Sequence, residues 1–170
     1  MDILKVATEW AKDEVFSSRF FIVFGVMFAL ATLGFWQLGR TEVAKAFVYP
    51  TLVAAILLLA IGIGIFFTNK SRATSFPDAY QADVSAFVKS EIARTERSMG
   101  EYNTAVFRVI PFIIVAAALL IVFVHAPLWR AISITTIGLM AVIMFVDSNA
   151  NARLEIYHEQ LQQVNKEMGN

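Results

Sequence analysis

The chain has 170 residues, 58% of them hydrophobic, with 14 acidic and 14 basic side chains and no cysteine. A soluble domain of this length has too little interior to hide that much apolar surface. Zero net charge provides no general attraction for nucleic acid, and the lack of thiols excludes disulfides, thiolate metal sites and cysteine nucleophiles.

Four apolar stretches without Asp, Glu, Lys, Arg or His run over Phe20–Leu38, Phe47–Phe67, Val109–Val124 and Ala131–Val146. The first two are long enough to cross a hydrocarbon core of about 30 Å as helices. The last two reach that length with Phe107, Arg108, Leu128 and Trp129. The expected fold is an all-α integral membrane protein with four transmembrane helices in two antiparallel hairpins.

Residues 1–18 form an amphipathic segment with Ile3, Val6, Ala7, Trp10 and Val15 on its apolar side. It is expected to lie in the membrane interface with Trp10 as anchor. The alternative is packing beside a cytoplasmic arm. Acidic residues before the first apolar stretch and the Phe-Trp-Gln-Leu-Gly-Arg ending argue against a cleaved signal.

The first transmembrane hairpin covers 19–67. Gly25, Ala29, Thr32 and Trp36 fall at helical spacing on its first helix, and Ala60 with Gly64 on its second. Such small residues let helix backbones approach closely. Residues 68–81 read as a polar cytoplasmic linker containing Pro77.

From about Ala82 onward a long helical hairpin, 82–170, is expected. Val88, Ile92, Thr95, Met99 and Tyr102 are spaced by four and three residues, the signature of a heptad seam. Leu154, Tyr157, Leu161, Val164 and Met168 repeat it after the fourth span. A tight turn near Pro127 would pair Val88 with Met168, Ile92 with Val164, Thr95 with Leu161, Met99 with Tyr157 and Tyr102 with Leu154. Helices 3 and 4 are therefore expected to extend into a cytoplasmic antiparallel coiled-coil-like arm. Pro111 is expected to kink the third helix.

Orientation follows from the basic residues. Eleven of them, including Lys70 and Arg72, fall on the side shared by both termini, against Arg40, Lys45 and Arg130 on the other. The positive-inside rule then puts both termini in the cytoplasm.

Candidate chemistry is sparse. Arg108 and Asp147 flank the third and fourth spans at the same inner boundary, and Asn149 and Asn151 follow in an Asp-Ser-Asn-Ala-Asn run. These are candidate inner-mouth residues, with flanking and snorkelling as the simpler role. Ser133 and Thr136 belong to the most polar intramembrane cluster and are candidate pore residues, although such hydroxyls can bond their own helix. His125 and His158 fall on opposite sides of the membrane, outside any metal-ligand spacing. His158 is expected at an exposed site near Glu96. No phosphate loop, nucleophile–base pair or intramembrane carboxylate pair appears, so no enzyme, cofactor or metal is expected.

The Phe-Val-Lys-Ser-Glu-Ile-Ala-Arg-Thr-Glu-Arg-Ser run from Phe87, the Val-Phe-Arg-Val-Ile-Pro junction and the Asp-Ser-Asn-Ala-Asn-Ala-Arg-Leu-Glu run resemble uncharacterised small four-span bacterial membrane proteins. The resemblance implies a bacterial inner membrane and carries no activity. The expected function is a non-enzymatic assembly or interaction protein acting through the arm and helix-packing faces, in an accessory, sensor-like or toxin-neutralising role. Its partners would be the lipid bilayer and either copies of itself or a protein bound at the arm. The alternative is an oligomeric ion channel or membrane-permeabilising pore.

Overall fold

A computed structural model describes residues 2–169, all of them in helices or short connections. The helices are α1 (Ile3–Leu38), α2 (Glu42–Ala46), α3 (Val48–Ala82), α4 (Val84–Thr104), α5 (Ile110–Phe123) and α6 (Pro127–Gly169), with a π-helical segment, Ala105–Val109, joining α4 to α5. Four of the resulting helical runs are long and apolar enough to cross a membrane. α6, at 43 residues, measures about 65 Å at 1.5 Å per residue, roughly twice a hydrocarbon core. Long helices therefore unite an apolar half with a polar half.

Local signals place the breaks. Asp2 caps α1 by accepting from the Lys5 amide at 3.2 Å, and Thr41 caps α2 through the Ala44 amide at 3.1 Å. Asp83, in extended conformation, separates α3 from α4 and caps the latter through the Ala86 amide at 2.9 Å. A single such cap supplies one of the unpaired amides that every helix start leaves.

In the apolar half, α1 packs along α3. Gly25 and Gly62 make the approach possible: a Cβ on Gly62 would lie 2.9 Å from both Ile22 Cγ1 and Phe21 Cβ, and one on Gly25 would lie 2.8 Å from Leu59 Cγ. Thr32 and Thr51 add a buried hydroxyl–hydroxyl bond of 2.9 Å between the two helices. Phe21, Ala54 and Leu58 then pack with Leu139 and Val146 of α6. α5 contacts α6 and the π segment but neither α1 nor α3. The small-residue face on α1 is only partly used, since Trp36 is 69% exposed. On α3 the close contact falls to Gly62, while Ala60 and Gly64 line a cavity instead.

The polar half differs from a two-helix arm. Its core joins Ile3, Ala7, Trp10 and Ala11 of α1 and Phe76 of α3 to the α4 and α6 residues Phe87, Val88, Leu154 and Tyr157. The described part of the segment 1–18, from Ile3 on, therefore packs into this core, and Trp10 is buried rather than serving as an interfacial anchor. Residues 68–82 are helical, continuous with the apolar part of α3, despite Pro77. Phe76 and Tyr80 explain that continuity: both meet the Phe87 ring edge-on, at 5.5 and 5.8 Å. Their burial outweighs the lost proline hydrogen bond.

The seam between α4 and α6 also has a different register. Thr95, paired by the heptads with Leu161, bonds His158 at 2.7 Å. Tyr157, paired with Met99, donates to Glu91 at 2.9 Å. Met168 is 41% exposed. The π segment contributes a wide turn just before Pro111, where the missing amide is absorbed at the start of α5. The wider π repeat shifts the phase of α4 relative to the apolar helix.

Gly62→Leu should force α1 and α3 apart, costing about 1–3 kcal/mol by overpacking. Gly64→Leu, which meets no atom within 4 Å at its Cβ position, should leave stability nearly unchanged. Thermal unfolding of the detergent-solubilised variants by circular dichroism checks the contrast.

Candidate functional site

The polar residues that matter most gather where the two halves meet. A cavity of about 390 Å³ opens there among four helices. α1 contributes Trp10, Glu14, Ser17 and Phe21, and α3 contributes Ala60, Ile61, Gly64, Asn69 and Arg72. Arg94, Ser98 and Tyr102 come from α4, and Val146, Asp147 and Leu154 from α6. Phe21, Ile61, Gly64 and Val146 make one end apolar, while ionisable groups crowd the other. A second, adjoining space of about 260 Å³ shares Ile61, Ile65, Ser98, Tyr102 and Asp147 and extends to Ala105 and Val106. It follows the gap left because α5 does not touch α3.

Two ion pairs hold the walls. Arg153 Nη2 donates to Glu14 Oε1 and to Ser17 Oγ, each at 2.8 Å. This pair ties α6 to α1. Burial raises the Glu14 pKa, and the Arg153 guanidinium offsets only part of that cost. Arg94 forms a two-pronged pair with Glu91, at 2.9 and 2.7 Å, and its guanidinium carbon lies 4.4 Å from the Trp10 ring centroid. The Trp10 ring is also stacked on Tyr157 at 5.1 Å. A planar guanidinium suits both roles at once, paired at its edge and stacked on its face.

Two ionisable groups in the cavity lack such partners. Arg72 donates to Asn69 Oδ1 at 3.0 Å and forms no ion pair among the described residues. Burial lowers its pKa, and the neighbouring Arg94 charge lowers it further. Asp147 has no hydrogen-bond partner among the described residues, and burial followed by repulsion from Glu14 pushes its carboxyl up to about 6. Burial likewise raises the Tyr102 phenol above its ordinary value. The Trp10 indole Nε1 is enclosed without an acceptor.

The residues singled out in the sequence scatter around this site. Asp147 lines it, but Arg108 is exposed and forms no ion pair with Asp147. Asn149 bonds the Phe145 carbonyl of its own helix at 2.7 Å, and Asn151 bonds Glu155 at 2.6 Å. Ser133 is 1% exposed, enclosed without a partner, while Thr136 lines a separate apolar groove between α3 and α6. Of the seam residues, Tyr102 and Leu154 reach the cavity.

His158 is buried rather than exposed near Glu96. Its Nδ1 meets Thr95 and its Nε2 meets Gln162, at 2.7 and 2.8 Å. With Gln162 as donor, Nδ1 carries the proton, and the Thr95 hydroxyl passes its own hydrogen to the Ile92 carbonyl at 2.8 Å. Among the described residues no cluster of His, Asp and Glu is arranged to hold a metal.

Sequence reasoning missed Glu14, Ser17, Asn69 and Arg72 as a group, because they come from different helices. A usable signal was present: Asn69 and Arg72 share one helix face just beyond the second apolar stretch, as do Glu14, Ser17 and Phe21 before the first.

Arg153→Ala should strand the buried Glu14 carboxylate and cost about 3 kcal/mol, with Glu14→Gln restoring much of the loss in the double variant. Denaturant titration of the single and double variants measures both terms. The Asp147 carboxyl titrates near its ordinary 3.8 when unfolded and near 6 when folded. Folding thus favours the protonated form, and stability falls as pH rises from about 4 to about 6, then levels. Asp147→Asn should flatten this decline and be the more stable chain above pH 6, read as melting temperature across pH 4–8.

No protein-family model, curated protein or solved structure matches the chain.

Proposed function

We propose that the chain is a non-enzymatic inner-membrane interaction protein whose polar half is a cytoplasmic docking bundle. In this reading the helices form two transmembrane hairpins, and both termini face the cytoplasm, as the eleven-to-three distribution of basic residues favours. The helical arm comprises α4 and the end of α6, braced by α1 and the end of α3 rather than standing alone as a coiled coil.

The observation that carries this reading is a groove on the outer side of the bundle. Val6, Glu9, Asp13, Ile156 and Gln160 line it. Ile156 is 59% exposed, unusual for a large aliphatic side chain in the polar half. Glu9 and Asp13 give the groove an acidic rim, while the nearby Arg153 is committed to Glu14. An aliphatic anchor flanked by basic residues on a partner protein fits this surface. Uninterrupted helices link the groove to the spans, so occupancy on one side would be felt at the membrane junction.

The pore alternative finds less support. Of its candidate lining residues, Ser133 is enclosed inside one chain, while Thr136 lines the apolar groove between α3 and α6.

A photo-crosslinking residue at Ile156, installed in native membranes, should capture a heterologous protein through a basic segment. Ile156→Glu should abolish binding of that protein while the chain's abundance in the membrane stays the same. Steady conductance in planar bilayers, blocked by Asn149→Leu at the exposed inner-mouth position, would sink the interaction reading in favour of the pore.

A further inference from the structure

The junction cavity is built for an amphiphile. From its unpaired arginine, its unpaired carboxyl and its apolar floor, the geometry points to a binding site for one phospholipid with a primary-amine headgroup, admitted sideways from the bilayer. This inference rests on the membrane placement proposed above but not on the docking groove.

The polar end sorts into complementary parts. Arg72 is half-buried with only Asn69 as partner, and the Arg94 charge lies close enough to act on it. Two guanidiniums facing one cavity suit a phosphate. Trp10, 8% exposed, lines the same space with an enclosed indole N–H that has no acceptor in the protein. Its ring body, rather than that enclosed nitrogen, faces the ligand space, beside the Arg94 guanidinium stacked on it.

At the other side, Asp147 feels Glu14 and has no cation of its own. An ammonium there would restore its ionised form and could donate to both carboxylates. Glu14 is paired with Arg153 and Arg94 with Glu91, so the lining charges without an ion pair among the described residues are one base, Arg72, and one acid, Asp147, which matches a zwitterion better than a net anion. A quaternary ammonium fits less well, because recognising it requires free aromatic faces. The Trp10 ring is already taken up by Tyr157 and Arg94.

The remaining lining explains the acyl chains. Ala60 and Gly64 keep the membrane end open, and no atom lies within 4 Å of a Cβ placed on Gly64. The adjoining space continues the cavity between Ile61 and Ile65 of α3 and Ala105 and Val106 of the π segment, with Ser98 and Glu101 of α4 on its polar side. A headgroup can enter there without its chains leaving the apolar layer.

The full chain, reconstituted in vesicles containing equal phosphatidylethanolamine and phosphatidylglycerol and extracted in mild detergent, tests this by native mass spectrometry. One phosphatidylethanolamine per chain should be retained in preference to phosphatidylglycerol. Gly64→Leu, which fills the cavity without a backbone clash, should lower retention about tenfold, a change of one decade in affinity, with melting temperature unchanged. Arg72→Gln should do the same, and Asp147→Asn should erase the preference between the two lipids. Equal retention of both lipids, retention of neither, or full retention in Gly64→Leu would overturn the inference. So would displacement by glycerophosphoethanolamine, which lacks acyl chains, at the same concentration as the lipid. A chain that captures its protein partner but no lipid would leave the docking role standing and remove only the lipid site.

Discussion

Arg94 is the joint on which the polar half depends. The backbones of α1 and α4 do not approach each other closely, yet both must contribute to one core. Arg94 closes the distance by lying across Trp10 of α1 while Glu91 holds its edge. Glu91 in turn accepts from Tyr157 of α6, whose ring stacks on the other partner of Arg94, Trp10. Four side chains from three helices therefore form one closed set of contacts. In a partly desolvated setting such a set acts as a unit, because breaking any bond leaves a buried charge or hydroxyl exposed to nothing.

The same geometry creates the cavity. Side chains rather than backbones bridge α1 and α4, so space remains behind Arg94 where the helices diverge. The second pair, Arg153 with Glu14, braces α1 against α6 and keeps that space from closing. Below it, Ala60 and Gly64 withhold the side chains that would fill the floor. Stability of the walls and openness of the interior thus come from one arrangement. The groove on the far side of Trp10 shares this support, since Trp10 and Tyr157 line it as well.

Much of the helical framework was legible in the sequence, and little of the site was. Val88, Leu154, Tyr157 and Leu161, which share the heptad spacing, are buried, because helical periodicity reports which face is apolar. It did not report what that face meets. Five-layer matching between α4 and α6 assumed a two-helix seam, whereas α1 and α3 fill half of the core. The π segment then altered the phase in a way that ordinary helix spacing does not encode. Pro77 and a run of polar residues read as a linker, although Ala73, Phe76 and Tyr80 already carried a helical stripe.

By itself the sequence determined that four long apolar helices exist, where each begins to turn polar, and that no charge lies within an apolar stretch. Those properties are local: hydropathy, caps and spacing act over a few turns and need no knowledge of neighbours. Only the tertiary structure decided that Gly62 rather than Gly64 is the contact glycine, that Ile3, Ala7, Trp10 and Ala11 pack inward, and that Arg72 and Asp147 share a cavity. Each depends on helix phase and crossing, which residues distant in the chain set together. The opening at the junction is likewise a property of no single segment, but of two helices bridged by side chains rather than by close-packed backbones.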